Sequence, residues 1–157
     1  MSTKRRLPIP TAKEQLNRQP DAPHHGTAAS LALEVAKQVR QLQEDDLRGR
    51  ELVARVMIHA VLSFPDSHLS DLVREPASTG DPRWDALLQG LIAWRCQSAD
   101  VPVATPAWAR EARLDEAWAP FGGSIRDDGW YTLSVLATPA ALLHRGIVLE
   151  RSNLKEL

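Results

Sequence analysis

All five tryptophans of this 157-residue chain lie between Trp84 and Trp130. The same stretch, extended slightly at its ends, holds three dipeptides suited to opening a helix: Asp81-Pro82, Thr105-Pro106 and Thr138-Pro139. Large aromatic rings dominate the energetics of burial. A short polar residue followed by proline marks a helix start, because proline at the first helical position loses no bond it would have made. Together these features place the centre of a helical core in the second half of the chain.

The first 27 residues contrast with that half. They contain four prolines, the adjacent pair His24-His25 and few large apolar side chains, too little to offset the entropy of ordering, so residues 1–27 read as a disordered basic tail. Lys4, Arg5, Arg6, Lys13 and Arg18 against Glu14 and Asp21 give the tail a net +3, which leaves −4 on residues 28–157 from the overall −1. A chain so nearly neutral has no global field to draw it to nucleic acid or an anionic membrane. The tail is the only segment with a basic bias, and a DNA contact would have to use it. No apolar run approaches the roughly 20 residues needed to span a bilayer. No apolar stretch follows the leading basic residues as a signal peptide requires. The lone Cys96 excludes an intramolecular disulfide and fits a reducing, cytoplasmic setting.

From Ala28 onward the apolar residues fall at helical spacing. Leu31, Val35, Val39 and Leu42 form one stripe, with Thr27 as a cap. Val53, Val56, Met57, Ala60, Val61 and Phe64 form a second, ended by Pro65. Glu44 to Gly49 weakens helix between them, which favours a hairpin over one long helix. A short helix should follow, with Asp66 as its cap and Leu69, Leu72 and Val73 on its face. In the second half, Trp84, Leu87, Leu88, Leu91 and Ile92 predict a helix from Asp81-Pro82 to about Gln97. Trp94 is ten residues from Trp84, about 1000° of turn and so roughly 80° short of three full turns. It therefore leaves that stripe. Thr105-Pro106 should open a short helix carrying Trp108, extending toward Leu114 and Trp118. Residues 119–129 read as a glycine-rich loop. Trp130 to Leu136 is rich in β-formers and stays open between strand and helix. Thr138-Pro139 opens a last helix, Ala140 to Arg145, which Gly146 can end with a positive φ. Ile147 to Leu149 could pair with 131–136. The expected fold is a mainly α, single-domain helical bundle over 28–157, with a hairpin and short helix in 28–75, a tryptophan-rich half in 79–157, and room for a short two-stranded β-ribbon near the C-terminus.

Few residues carry recognisable chemistry. His24, His25, His59, His68 and His144 form no metal-ligand spacing, and no cofactor signature appears. Cys96 on an apolar helix reads as a small core residue. Asp115-Glu116 and Asp127-Asp128 could supply acid–base chemistry, yet their spacing selects neither pair. Gly122-Gly123-Ser124 lacks the lysine of a phosphate loop and reads as a turn. His144-Arg145 at a helix C-terminus complements the helix dipole and could also hold an anion.

The tryptophans therefore remain the main lead, since tryptophan is enriched both in cores and in binding hot spots. Trp84, Trp108 and Trp118 are assigned to anchoring the fold. Trp94, which is off its stripe, and Trp130, beside the glycine-rich loop, are the candidates for contact with a partner, together with Arg145 and Gly146. The leading expectation is a non-enzymatic protein-binding regulator without cofactor. The alternatives are a DNA-associated regulator acting through the basic tail, and a small hydrolase or transferase with a carboxylate site between loop 119–129 and residues 144–146.

The run Gly80-Asp81-Pro82-Arg83-Trp84-Asp85-Ala86-Leu87-Leu88, followed by Pro106-Ala107-Trp108, Leu114-Asp115, Trp118, Thr138-Pro139-Ala140 and Arg145-Gly146-Ile147, resembles a group of uncharacterised actinobacterial small proteins. These occur alone or after an Xre-type helix-turn-helix, in settings that look like toxin–antitoxin or related regulatory gene pairs. The resemblance covers about residues 50–157 and implies an antitoxin or adaptor that neutralises or positions a partner protein. It supplies no catalytic residue. This chain has no convincing helix-turn-helix before residue 80, which weakens direct DNA binding.

Overall fold

A computed structural model describes residues 27–122 and 128–155, with side chains described from Tyr131 onward in the second stretch. Residues 1–26 of the expected tail, and the centre of the glycine-rich loop, lie outside the described residues. Six α-helices appear among the described residues: α1 (Ala28–Gln41), α2 (Leu47–Leu62), α3 (Leu69–Leu72), α4 (Pro82–Ser98), α5 (Asp128–Ala137) and α6 (Ala140–Leu143). Short 3-10 turns occupy Asp66–His68, Ala107–Arg110 and Arg151–Leu154. The protein is mainly helical.

The two N-terminal stripes belong to separate helices, for a local reason. Thr27 Oγ1 accepts from the Ser30 amide at 3.1 Å and starts α1, while Asp46 accepts from the Gly49 amide at 2.9 Å and starts α2. A Cβ on Gly49 would run into both the Asp46 carboxylate and Leu42 Cδ2, so this glycine makes room for the cap and for the side chain that closes the hairpin. Ala32, Val35 and Ala36 on α1 and Val53, Ala54, Met57 and Val61 on α2 meet in the core.

Helix α4 is the central element. It starts as the sequence predicts, with Asp81 accepting from the Arg83 amide at 2.8 Å and Pro82 in its first turn. Trp84, Ala86, Leu87, Leu88, Leu91, Ile92, Ala93 and Cys96 are all buried, because α1, α2, α6 and the turn at Ala107–Arg110 surround it. A helix covered on most sides needs no polar face. At Gly90 an added Cβ would lie 2.5 Å from Leu142 Cδ2 and 3.5 Å from Leu142 Cα, so α6 crosses α4 where a side chain is missing.

The other two proline starts behave differently. Pro106 and Pro139 occupy the cap positions themselves, with extended ψ angles of 150° and 144°, and neither cap makes a side-chain bond. The threonine before each is one residue too early to reach the free amides. Thr105 instead offers its carbonyl to the Arg110 guanidinium at 2.7 and 3.0 Å, and Thr138 serves α5, as described below. The helix expected from Trp108 toward Trp118 is only the 3-10 turn, and the one expected from Ala140 to Arg145 ends at Leu143. Asp66 likewise makes no cap bond, and Pro65 takes that position.

Residues 130–137 are helical, in α5. The C-terminal ribbon is not seen among the described residues. Ile147 instead forms a single parallel bridge with Trp118, flanked by hydrogen bonds from the Trp118 amide to the Gly146 carbonyl (2.8 Å) and from the Val148 amide to the Trp118 carbonyl (2.9 Å). Gly146 turns the chain into this bridge with φ +81°, a conformation that costs other residues roughly 1–2 kcal/mol. Ile147, Val148 and Leu149 then enter the core.

Candidate docking surface

The anchoring tryptophans form one cluster with its surroundings. Trp84 is buried, and Trp118 meets it edge-on with ring centroids 5.2 Å apart and planes at 69°, a favourable quadrupolar geometry. The Arg83 guanidinium lies 5.7 Å from the centroid of Trp118. The Trp118 indole N–H is buried and has no hydrogen-bond partner among the described residues. Trp108 is half-buried and donates its indole N–H to the Val73 carbonyl at 2.8 Å, tying the turn at Ala107–Arg110 to the end of α3.

Of the residues read from the sequence as partner-facing, Trp94 is half-buried against the core edge, with the Arg151 guanidinium 5.5 Å from its ring centroid. Trp130 lies in the first turn of α5, and its side chain falls outside the described residues. Arg145 is interior. Its guanidinium donates to the Ala109 carbonyl through Nε (3.1 Å) and one terminal nitrogen, and to the Ala141 carbonyl through the other. Burial lowers its pKa from the usual arginine value. This arginine joins α6 to the turn at Ala107–Arg110, and no surface anion can reach it by the geometry shown. Gly146 is packed against Leu114, whose Cβ would lie 3.0 Å from a Cβ placed on the glycine.

The groups tested for chemistry are dispersed. His59, His68 and His144 are exposed, as are Asp115 and Glu116. Among the described residues no three histidine, cysteine or acidic side chains are grouped to hold a metal ion. Cys96 is fully buried, and desolvation raises its thiol pKa, which keeps it a protonated core residue at neutral pH. A hollow of about 220 Å³ is walled in part by Glu75, Asp85, Trp108 and Glu111. Asp85 is already engaged there, accepting from Ser78 Oγ (2.5 Å), the Thr79 amide (2.8 Å) and Thr79 Oγ1 (2.7 Å).

Two features escaped the sequence reading. Arg95 is buried and donates to the Phe64 carbonyl at 2.6 Å and to the Asp66 carboxylate. The second Asp66 oxygen accepts from the Asp100 amide at 3.0 Å, so this ion pair clamps the end of α2 to the end of α4.

The second feature is the inverted polarity of α5. Among its described side chains the buried one is a hydroxyl, with Tyr131 and Val135 half-buried beside it: Ser134, 4% exposed, donates to Glu150 at 2.7 Å, and Thr138, just past the helix, donates to the Ser134 carbonyl at 2.7 Å and accepts from the Leu149 amide at 3.1 Å. Its outward positions include two leucines, Leu133 65% and Leu136 77% exposed, beside Thr132 and Ala137, and Leu143 on α6 is 39% exposed. Ordinary surface helices put hydroxyls outside and leucines inside. The signal was present as Leu133 and Leu136 at a spacing of three and Ser134 and Thr138 at a spacing of four. Periodicity alone would assign the leucines to the core.

Among the described residues, no helix is long and apolar enough to cross a membrane. Comparison with known proteins finds no matching family model, no matching curated protein and no matching solved structure.

Proposed function

We propose that this chain is a non-enzymatic protein-binding regulator, an adaptor or antitoxin that positions or neutralises a partner protein through the outer face of α5. The observation that carries this reading is the outward pair on α5, where Ser134 is buried and Leu133 and Leu136 stand in solvent. The hydroxyl network pins the helix with its leucines outward, so rotation to bury them would break the bonds to Glu150 and Leu149. Covering both leucines would contribute roughly 2 to 4 kcal/mol, scaled from the value of a fully buried leucine. The partner chemistry this fits is an apolar helix or strand face on another protein. The resemblance of residues 80–88 to the actinobacterial group points the same way. Trp94, half-buried beside Arg151, is a second place for a partner to touch.

The test is affinity capture from the source cells with mass spectrometry, comparing the natural chain with the double variant Leu133→Glu, Leu136→Glu. Both substituted positions are solvent-facing, so the variant should keep its denaturation midpoint. A stoichiometric protein retained by the natural chain and lost with the variant is the expected result. Recovery of no such protein, or equal recovery with both chains, refutes the reading.

A further inference from the structure

Arg55 and His59 on helix α2, and Ser63 capping its C-terminal end, follow at successive intervals of four, a spacing that lines side chains along one edge of a helix. Ile58 and Leu62 occupy the neighbouring row and face the core. Opposite them, burial of Leu154 holds the turn Arg151–Leu154 against the body, which presents Asn153 and Lys155. Between the helix edge and this turn lies a hollow of about 110 Å³ lined by both groups, with Ser152 at its side and no carboxylate in its wall among the described residues.

Among the described residues the lining charges of this hollow are cationic. Arg55 and Lys155 have no ion-pair partner among the described residues. The Arg55 guanidinium lies 4.7 Å from the centroid of Phe121, which supports the cation on an aromatic face. His59 and the amide of Asn153 add donors. The Ser63 hydroxyl is already given to the His59 carbonyl at 2.6 Å, and Ser152 makes only a long 3.3 Å bond to Glu150. Glu51, one turn before Arg55, and the C-terminal end of α2 oppose an anion here, while Arg151 beside Trp94 adds a further cation to the same turn.

We propose that this hollow is a binding site for a single phosphate monoester. A monoester carries about −1.5 to −2 charge at neutral pH and three acceptor oxygens, which matches two unpaired cations and the surrounding donors. A carboxylate would balance only one of the cations. A polynucleotide requires a track of basic residues along its backbone, and an open hollow of about 110 Å³ has room for one tetrahedral anion. The site is separate from the outer face of α5 and does not depend on the protein-binding reading.

The experiment is an amide NMR titration of the full chain with inorganic phosphate and, separately, with O-phosphoserine. Saturable shifts at His59, Ser63 and Ser152 to Lys155 are expected. Arg55→Ala with Lys155→Ala should weaken binding at least tenfold. Asn153→Asp, which places a negative charge at the rim without touching Phe121, should weaken it as well. Tighter binding of inorganic phosphate identifies a free ion as the source, whereas tighter binding of phosphoserine identifies a phosphorylated side chain. Absence of saturation by either probe at about 10 mM, or equal affinity in all variants, overturns the proposal. Binding of a DNA duplex at the same residues that neither probe displaces overturns it too.

Discussion

Replacing Arg145 by alanine should destabilise the protein by about 3 kcal/mol, a large share of the roughly 5–15 kcal/mol that holds an ordinary domain together. The magnitude follows from three terms. Truncation leaves the Ala109 and Ala141 carbonyls without the guanidinium, and each buried acceptor deprived of its donor costs about 1–3 kcal/mol. Loss of the aliphatic stem, whose Cδ lies 3.5 Å from the position a Cβ on Gly90 would take, adds a smaller packing cost. Opposing these, removal of a buried cation that no carboxylate balances among the described residues relieves a desolvation penalty. The orphaned carbonyls should dominate, since they sit between elements that cannot open separately. Arg145→Met keeps the stem and should lose about 2 kcal/mol. Arg145→Lys keeps the charge but not the planar fork and should fall between methionine and the natural residue. Urea denaturation with an unchanged slope measures all three. If the methionine variant is as stable as the natural protein, the hydrogen bonds merely offset desolvation, and the reasoning fails.

Other expectations follow from single contacts. Gly90→Ala improves helix propensity by up to about 1 kcal/mol but drives a methyl into Leu142, an overpacking cost of roughly 1–3 kcal/mol, so its denaturation midpoint should fall. Gly146→Ala meets both a left-handed backbone and the Leu114 side chain and should lose more than Gly80→Ala, where φ is +89° but nothing lies within 4 Å; a small or reversed difference would remove Leu114 from the account. The Arg95 hydrogen bond, followed by the Asp100 amide, lowers the Asp66 pKa in the folded protein. Its contribution is therefore present above the ordinary carboxylate range near pH 4 and lost as pH falls through the lowered value. Asp66→Asn should show a smaller loss of stability on acidification, and an identical acid profile would refute the clamp. Cys96 should resist thiol reagents in the native state and react after denaturation, since it is fully buried and its thiolate is disfavoured; rapid native labelling would contradict that placement.

The helices that could be read from sequence are those whose signals are local. Asp81-Pro82 names both the cap and the first turn, and the hairpin break follows from Asp46 with Gly49. The same dipeptide logic misplaced Thr105 and Thr138 because a proline cap shifts the helix by one residue, and nothing local says which position proline will take. Trp84 is buried in the apolar stripe its spacing indicated, whereas Trp108 is half-buried beside its turn. Arg95 and Arg145 read poorly because their acceptors are distant. The Phe64 carbonyl is 31 residues from Arg95, and the Ala109 carbonyl is 36 residues from Arg145.

Period, caps and composition by themselves determined that this chain is mainly helical, that two apolar helical stripes precede residue 65, and that a tryptophan-bearing helix is capped by Asp81. They could not determine which face of α5 is inward. Leucines and hydroxyls alternate there with compatible spacing, and the phase was decided by Glu150 and Leu149, which reach α5 only after Gly146 has turned the chain back beside Trp118. Periodicity reports which residues share a side. Only the partners supplied by the rest of the fold decide whether that side meets the core or the solvent, and here those partners are polar, leaving Leu133 and Leu136 outside.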